Sequence, residues 1–289
     1  VLKVIDAGTA GFHPRAFPGE FHLLITTNKR NEKRIMAINY VPLNKENHKD
    51  IKVAVSNAFA FAKDTHLSAA SIREYAQLAS SMPIVFIQDP KSERYHTVAM
   101  LGMEQGQNLF LLTDKWKGPH VPMNILRYPF DIRPEGEKLG VYIDENSELV
   151  GKEEGQPLFK EDGEPAEFLE NRQKFLGDLA NSEMMTQRFI KQVIDLNLLD
   201  PIQIRLTYKD GQQRNVTGMM SINEKRLIEL PEEKVVELHK QGFLGALYAI
   251  MMSMGQLNRL VELSNDTENP IANMQITAAQ PEPESAENA

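Results

Sequence analysis

The stretch from Pro165 to Ile222, PAEFLENRQKFLGDLANSEMMTQRFIKQVIDLNLLDPIQIRLTYKDGQQRNVTGMMSI, decides the fold class. Phe168, Phe175, Leu176, Leu179, Phe189, Val193 and Leu196 recur at helical spacing, which predicts one long or broken helix reaching about Leu199. Pro165 suits a first-turn position, and Glu164 and Glu167 suit the positive end of a helix. Asp200-Pro201 is read as the stop. The period then changes: Ile202-Gln203-Ile204-Arg205-Leu206 alternates as a strand does, Asp210-Gly211 is a hairpin signal, and Val216 to Ile222 forms the return.

Downstream, Pro231-Glu232-Glu233 opens a last helical region that Gly242 breaks. Leu247, Ile250, Met251, Met254 and Val261 mark the buried stripe of its second piece. Upstream, Ile51 to Val55 and Phe59 to Phe61 are short apolar runs. Ser68 is read as the cap of a helix carrying Ile72, Tyr75, Ala76 and Ala79, which Pro83 ends. Three runs follow: Ile84 to Ile87, Tyr95 to Met103 and Leu109 to Leu112. Their short connections predict an antiparallel meander. Leu139 to Ile143 is a further strand, and Asp162-Gly163 a turn. The fold class expected is therefore α+β: antiparallel strand meanders with helices from the C-terminal half packed against them.

The coherent pattern covers residues 36–263, expected as one domain, with two halves divided near residue 160 as the alternative. Residues 1–35 lack sustained periodicity and are read as a flexible leader or a mis-called start. Residues 264–289 carry acids and no base, and are expected to form a disordered acidic tail. A net charge of −8 argues against nucleic acid as a partner, which needs a basic face. The local basic run Asn28-Lys29-Arg30-Asn31-Glu32-Lys33-Arg34 is read as solvated. The chain has no cysteine, so disulfide and thiolate chemistry are excluded. Its most apolar segment, Gly242 to Leu263, is interrupted by Gln256, Asn258, Arg259 and Glu262, unlike a membrane span. With no signal-peptide pattern visible, a cytoplasmic location is expected.

Phosphate-loop, dinucleotide and nucleophile-elbow motifs are missing, as is a paired-histidine zinc motif. His48-Lys49-Asp50 has the spacing of a partial facial iron triad, but its polar surroundings favour a solvated loop. No metal and no cofactor are expected. The densest concentration of aromatics and prolines is TDKWKGPHVPMNILRYPFDI, Thr113 to Ile132, and the candidate binding residues come from it: Trp116, His120, Arg127 and Tyr128. His96, on an expected strand, joins them. Trp116 is either a core anchor or an exposed stacking surface. Arg127 either pairs with a buried carboxylate or faces a pocket. No spacing gives His96 or His120 a base partner or a third ligand.

Several of these pieces occur in a distinctive order. They are Val41-Pro42-Leu43-Asn44-Lys45 with His48, Met82 to Phe86, Leu101-Gly102, and Gly106 with Asn108-Leu109-Phe110. Trp116, Val121-Pro122 and Arg127-Tyr128-Pro129-Phe130 follow, then Leu158-Phe159, Asp162-Gly163, Asp210-Gly211, Ile222-Asn223-Glu224-Lys225 and the apolar run to Leu263. From about Met36 to Leu263 the chain resembles the SapC family, named for a protein associated with bacterial surface layers. The resemblance implies a non-catalytic accessory or assembly factor of the surface layer or an uptake system. Its implied partner is a protein of a cell-surface or outer-membrane uptake system. The alternative is a small-molecule-binding protein or enzyme with a pocket near Trp116, His120 and Arg127. The family name implies cell-surface association, in tension with the cytoplasmic reading.

Overall fold

The computed structural model describes residues 38–136 and 138–279. The expected leader at 1–35 and its basic run lie outside these residues. In chain order the first elements are β1 (Tyr40–Pro42), α1 (Lys45–His48), β2 (Lys52–Val53), β3 (Leu67–Ala69), α2 (Tyr75–Leu78), β4 (Ile84–Gln88) and β5 (Tyr95–Met100). Then come α3 (Met123–Leu126), β6 (Phe130–Glu135), β7 (Lys138–Asp144), β8 (Val150–Gly151), β9 (Gln156–Pro157) and α4 (Glu167–Asp195). The last are β10 (Leu199–Tyr208), β11 (Gln213–Ile222), α5 (Glu224–Ile228), α6 (Glu232–Lys240), α7 (Phe243–Ser253), α8 (Leu257–Ser264) and β12 (Ile271–Ala278).

The strands pair antiparallel throughout. Six form the main sheet in the order β12-β10-β11-β4-β5-β3, and β1-β7-β6 and β8-β2-β9 form two small ones. Helices of the C-terminal half lie against the strands, so the architecture is α+β. The Ser253 hydroxyl on α7 ties the layers together: it accepts from the Ile84 N–H at 2.8 Å and donates to the Ile250 carbonyl. Along β10 the alternation read from the sequence places Ile202, Ile204, Leu206 and Tyr208 on the buried face. Each such apolar side chain gains roughly 1.5–3 kcal/mol on leaving water. At the hairpin after β10, Gly211 has φ +85, a conformation costly for any residue with a Cβ.

α4 is a single helix of 29 residues. Its start lies slightly later than expected. Pro165 stands outside it, bridged to Phe159, while Ala166 is the N-cap residue and Glu167 and Glu170 occupy the first turn. Its end lies earlier: Asn197 adopts a left-handed conformation (φ 52), and the Leu198 N–H bonds back to the Val193 carbonyl. Asp200-Pro201 therefore sits inside β10 rather than stopping the helix. The break at Gly242 is as read, with φ 76 there between α6 and α7.

Two apolar cores result. The larger gathers Phe86, Val98, Phe110, Phe189, Ile204 and Leu247 with their neighbours, and the smaller Val53, Phe130, Ile143, Leu158, Leu169 and Leu176. α4 supplies both, the smaller from its first half and the larger from its second. The smaller core also draws on β2, β6 and β7, so the cores do not divide the chain near residue 160.

Four local expectations are corrected. Leu109 to Leu112 is not a third meander strand: Leu109–Leu111 is a turn of 3-10 helix that the Asn108 side chain caps. The place beside β5 belongs instead to β3. Ser68 lies in β3, and the helical turn begins after Ser71, where Ser71 and Glu74 form a reciprocal capping box. Asn44 to Asp50 is not a solvated loop, because Asn44 caps α1 and His48 is buried. Nor is the tail disordered from residue 264. Ile271–Ala278 pairs with β10 along its length, and Ile271 is buried in the large core. Residues 280–289 lie outside the described residues.

Candidate functional site

Of the five residues expected at a site, the structure brings two together. His96, buried on β5, and Arg127, just after α3, line one cleft with Asn124, Thr97, Ala69, Ala70 and Ile132. The facing wall is the middle of α4: Leu179, Ala180, Glu183, Thr186 and Gln187. The cleft encloses about 620 Å³, including the space at its open side.

The other three are committed to the fold. The Trp116 indole N–H donates to the His120 carbonyl at 2.8 Å, and its ring stacks on Phe110 at 5.6 Å and meets Phe59 edge-on. This is the core-anchor reading of Trp116. The His120 Nε2 lies 2.9 Å from Glu74 Oε2, so the partner that spacing did not reveal is Glu74. That carboxylate, 2% exposed, also accepts from the Met123 and Ser71 backbone N–H groups, which makes it a joint between α3 and the turn before α2. Tyr128 donates its hydroxyl to Asp144 Oδ2 at 2.9 Å and stacks on Phe61 at 4.1 Å. Burial chiefly, reinforced by the Asp144 carboxylate, pushes the Tyr128 phenol up to about 12. Asp144 is itself buried and also accepts from the Asn39 N–H at 2.8 Å.

Arg127 combines its two readings. Its Nη1 pairs with Asp131 Oδ1 at 2.7 Å, while the side chain also lines the cleft. Asp131 further accepts from Arg133 Nε and the Ile132 N–H, and the Arg133 guanidinium lies over the Tyr40 and Tyr142 rings, 5.0 Å from each. Arg127 is thereby held in a fixed geometry at the cleft wall.

Glu183, Gln187 and Asn124 are the residues that sequence reasoning missed. The Gln187 side chain donates to Glu183 Oε1 at 3.0 Å, and Asn124 Nδ2 donates to the Ala69 carbonyl at 3.3 Å. Burial pushes the Glu183 carboxyl above its ordinary range, against the opposing pull of Gln187 and Arg127. Burial likewise holds the His96 imidazole below its usual value. Both shifts favour neutral groups in the cleft.

A raised carboxyl costs stability once the unfolded chain would ionise it. Its penalty is absent below the unfolded value of about 4.3, grows as pH rises past it, and is complete above the raised folded value. Glu183→Gln removes that penalty. Melting curves are expected to show the variant more stable than the native chain near about pH 8, by about 2–4 °C for each kcal/mol, and indistinguishable near about pH 4. A gain of equal size at both pH values would contradict this account of Glu183.

Among the described residues no group of three or more histidines and carboxylates is placed to hold a metal ion. His48 and Asp50 follow suit: His48 is buried with its Nε2 3.3 Å from Glu145, and Asp50 is exposed. Among the described residues no helix is long and apolar enough to cross a membrane.

The family model SapC matches residues 43–260. The chain belongs to the SapC family. The match spans the buried residues of the smaller core, those of the larger core apart from Leu263 and Ile271, the whole of α4 and the cleft between β5, α3 and α4. Its limits fall just after β1 and at Leu260 in α8, so β12 lies beyond it. No curated protein and no solved structure matches the chain.

Proposed function

We propose that this SapC-family chain is a non-catalytic accessory protein of a bacterial surface-layer or outer-membrane uptake system, and that it works by holding a small polar molecule in the α4 cleft. The accessory role rests on the family resemblance. The binding role rests on one observation, the desolvated Glu183 carboxyl in the cleft wall. Stability alone would be better served by an apolar residue there, and costly polar groups in a cleft concentrate at sites of function. The opposite wall offers Arg127 and Asn124. The ligand class this favours carries a hydrogen-bond donor for Glu183 and an acceptor or negative group for Arg127.

Thermal-shift screening of amino acids, polyols and small hydroxy acids tests the reading. At least one class is expected to raise the melting temperature of the native chain, by the mass-action stabilisation that native-state ligands confer. The effect is expected to shrink in Glu183→Gln and in Asn124→Ala. No shift with any class, or equal shifts in both variants, would overturn it.

An acid–base enzyme is the second reading, favoured by the displacement of both Glu183 and His96 toward neutrality at one cleft. Mass spectrometry of the stabilising compound after long incubation separates the two. An unaltered mass supports binding alone, and a new product supports the enzyme.

A further inference from the structure

A second concavity runs beside the first half of α4, about three turns of helix from Glu183 on the same face. It encloses about 470 Å³ including its open side. Its walls are aromatic: Phe59, Phe61, Tyr128, Phe130 and Phe168, with the exposed Val55 at the rim. One side chain lining it carries full charge, Arg172.

We infer that this groove is a binding site for an amphiphilic monocarboxylate, whose apolar body lies on the aromatic wall and whose carboxylate meets Arg172. The argument begins with the guanidinium. Among the described residues its partners are the Leu126 carbonyl, accepting from Nη1 at 3.2 Å, and the Phe168 ring, 5.3 Å from its centre. No carboxylate of the described residues pairs with it. Neighbouring arginines are treated differently: Arg127 and Arg133 share Asp131. A half-buried guanidinium has five donors in a planar fork, of which a single carbonyl occupies one. Burial disfavours its charge, as the lowered Arg172 value reflects. A carboxylate supplies both the missing countercharge and a matching two-pronged acceptor.

The aromatic wall disfavours small hydrophilic anions. The one hydroxyl on its aromatic wall, that of Tyr128, is already directed to Asp144. The ring surface in the groove gains by covering apolar atoms, and the polar Ser56 and Asn57 also line it. A guanidinium beside an aromatic wall favours a ligand with one negative head and an apolar body. This site is independent of the α4 cleft, with which it shares no lining residue.

Isothermal titration of the full chain with octanoate, its neutral counterpart octanamide, and acetate tests the inference. Octanoate is expected to bind about tenfold or more tightly than either of the others. Arg172→Gln is expected to abolish the preference for octanoate over octanamide, while Arg172→Lys, which keeps the charge but loses the fork, retains part of it. Because Arg172 also ties α4 to α3, Val55→Asp serves as a second variant. It sets a negative charge at the exposed rim and is expected to weaken octanoate several-fold while leaving octanamide unchanged. Equal binding of octanoate and octanamide, binding of acetate as tight as octanoate, no binding at all, or indifference to both Arg172→Gln and Val55→Asp would each overturn the proposal.

Discussion

Replacing Phe189 with alanine is expected to cost the fold about 3–5 kcal/mol, the range for deleting a buried aromatic ring. Phe189 is fully buried on the second half of α4. Its ring meets Tyr75 edge-on at 5.8 Å and Phe243 edge-on at 5.5 Å, and stacks against Phe86 at 6.3 Å. Those rings belong to α2, α7 and β4, so one side chain joins four elements of the large core. Its removal leaves a void between a helix and a sheet that are each held from other directions. Collapse around it is therefore limited, which places the cost toward the upper part of the range. Urea unfolding measures the loss, with Met252→Ala as the comparison. Met252 is 76% exposed on the neighbouring α7, and its truncation is expected to stay within about 0.5 kcal/mol. Similar losses in the two variants would mean that Phe189 is not the joint described.

The parts of this fold that were legible from sequence are those where one period runs uninterrupted. α4 and the β10–β11 hairpin were readable because apolar spacing, a left-handed glycine and a turn aspartate agree at the same positions. Where the reading failed, a better local cap or a contact distant in sequence outweighed the first signal. Ser68 resembles a cap, yet Ser71 has the glutamate three residues on that completes a capping box. Leu109 to Leu112 has the composition of a strand, but Asn108 caps it into a 3-10 turn and its side-chain amide donates to the Ala62 carbonyl. β12 is mostly exposed and lies in an acidic stretch. It is ordered by the backbone of β10, an influence that composition does not record.

The candidate site followed the same logic. The dense aromatic segment around Trp116 drew attention, and its aromatics are there to pack: indole on Phe110, Tyr128 on Phe61. The better signal lay in α4. Between Leu169, Leu176 and Leu179 on one side and Phe189, Ile190 and Val193 on the other, the buried stripe turns polar at Ser182 and Thr186, with the half-buried Glu183 beside them. Part of that polarity is structural. The Ser182 and Ser71 hydroxyls bond to each other, and Thr186 accepts from the Ile72 N–H at 2.9 Å. Among the described residues the Glu183 side chain has no such backbone partner. A half-buried carboxylate at the edge of that stripe departs from the pattern around it, and departures of that kind concentrate at functional positions.

The companion of the Phe189 effect in the polar network is Glu74→Leu, expected to cost about 3–5 kcal/mol although leucine nearly matches the volume removed. The carboxylate is 2% exposed and receives three donors: the Ser71 N–H at 3.2 Å, the Met123 N–H at 2.9 Å and His120 Nε2 at 2.9 Å. Leucine leaves all three facing an apolar group, and each buried donor so stranded costs about 1–3 kcal/mol. Glu74→Gln keeps one oxygen to accept but turns an amide N–H toward the other donors, so an intermediate loss is expected. His120→Ala removes only one of the three contacts at a partly exposed position, and about 1 kcal/mol is expected. In the double variant Glu74→Leu with His120→Ala the losses are expected to fall short of additive, because the imidazole no longer loses its acceptor. The Trp116 indole reports the local consequence, since it bonds to the His120 carbonyl and is the only tryptophan in the chain. Its fluorescence is expected to shift in Glu74→Leu below the main unfolding transition, as the segment loosens before the sheet does. Coincident fluorescence and far-ultraviolet transitions, together with a loss under about 1 kcal/mol, would show that Glu74 does not hold this segment to the core.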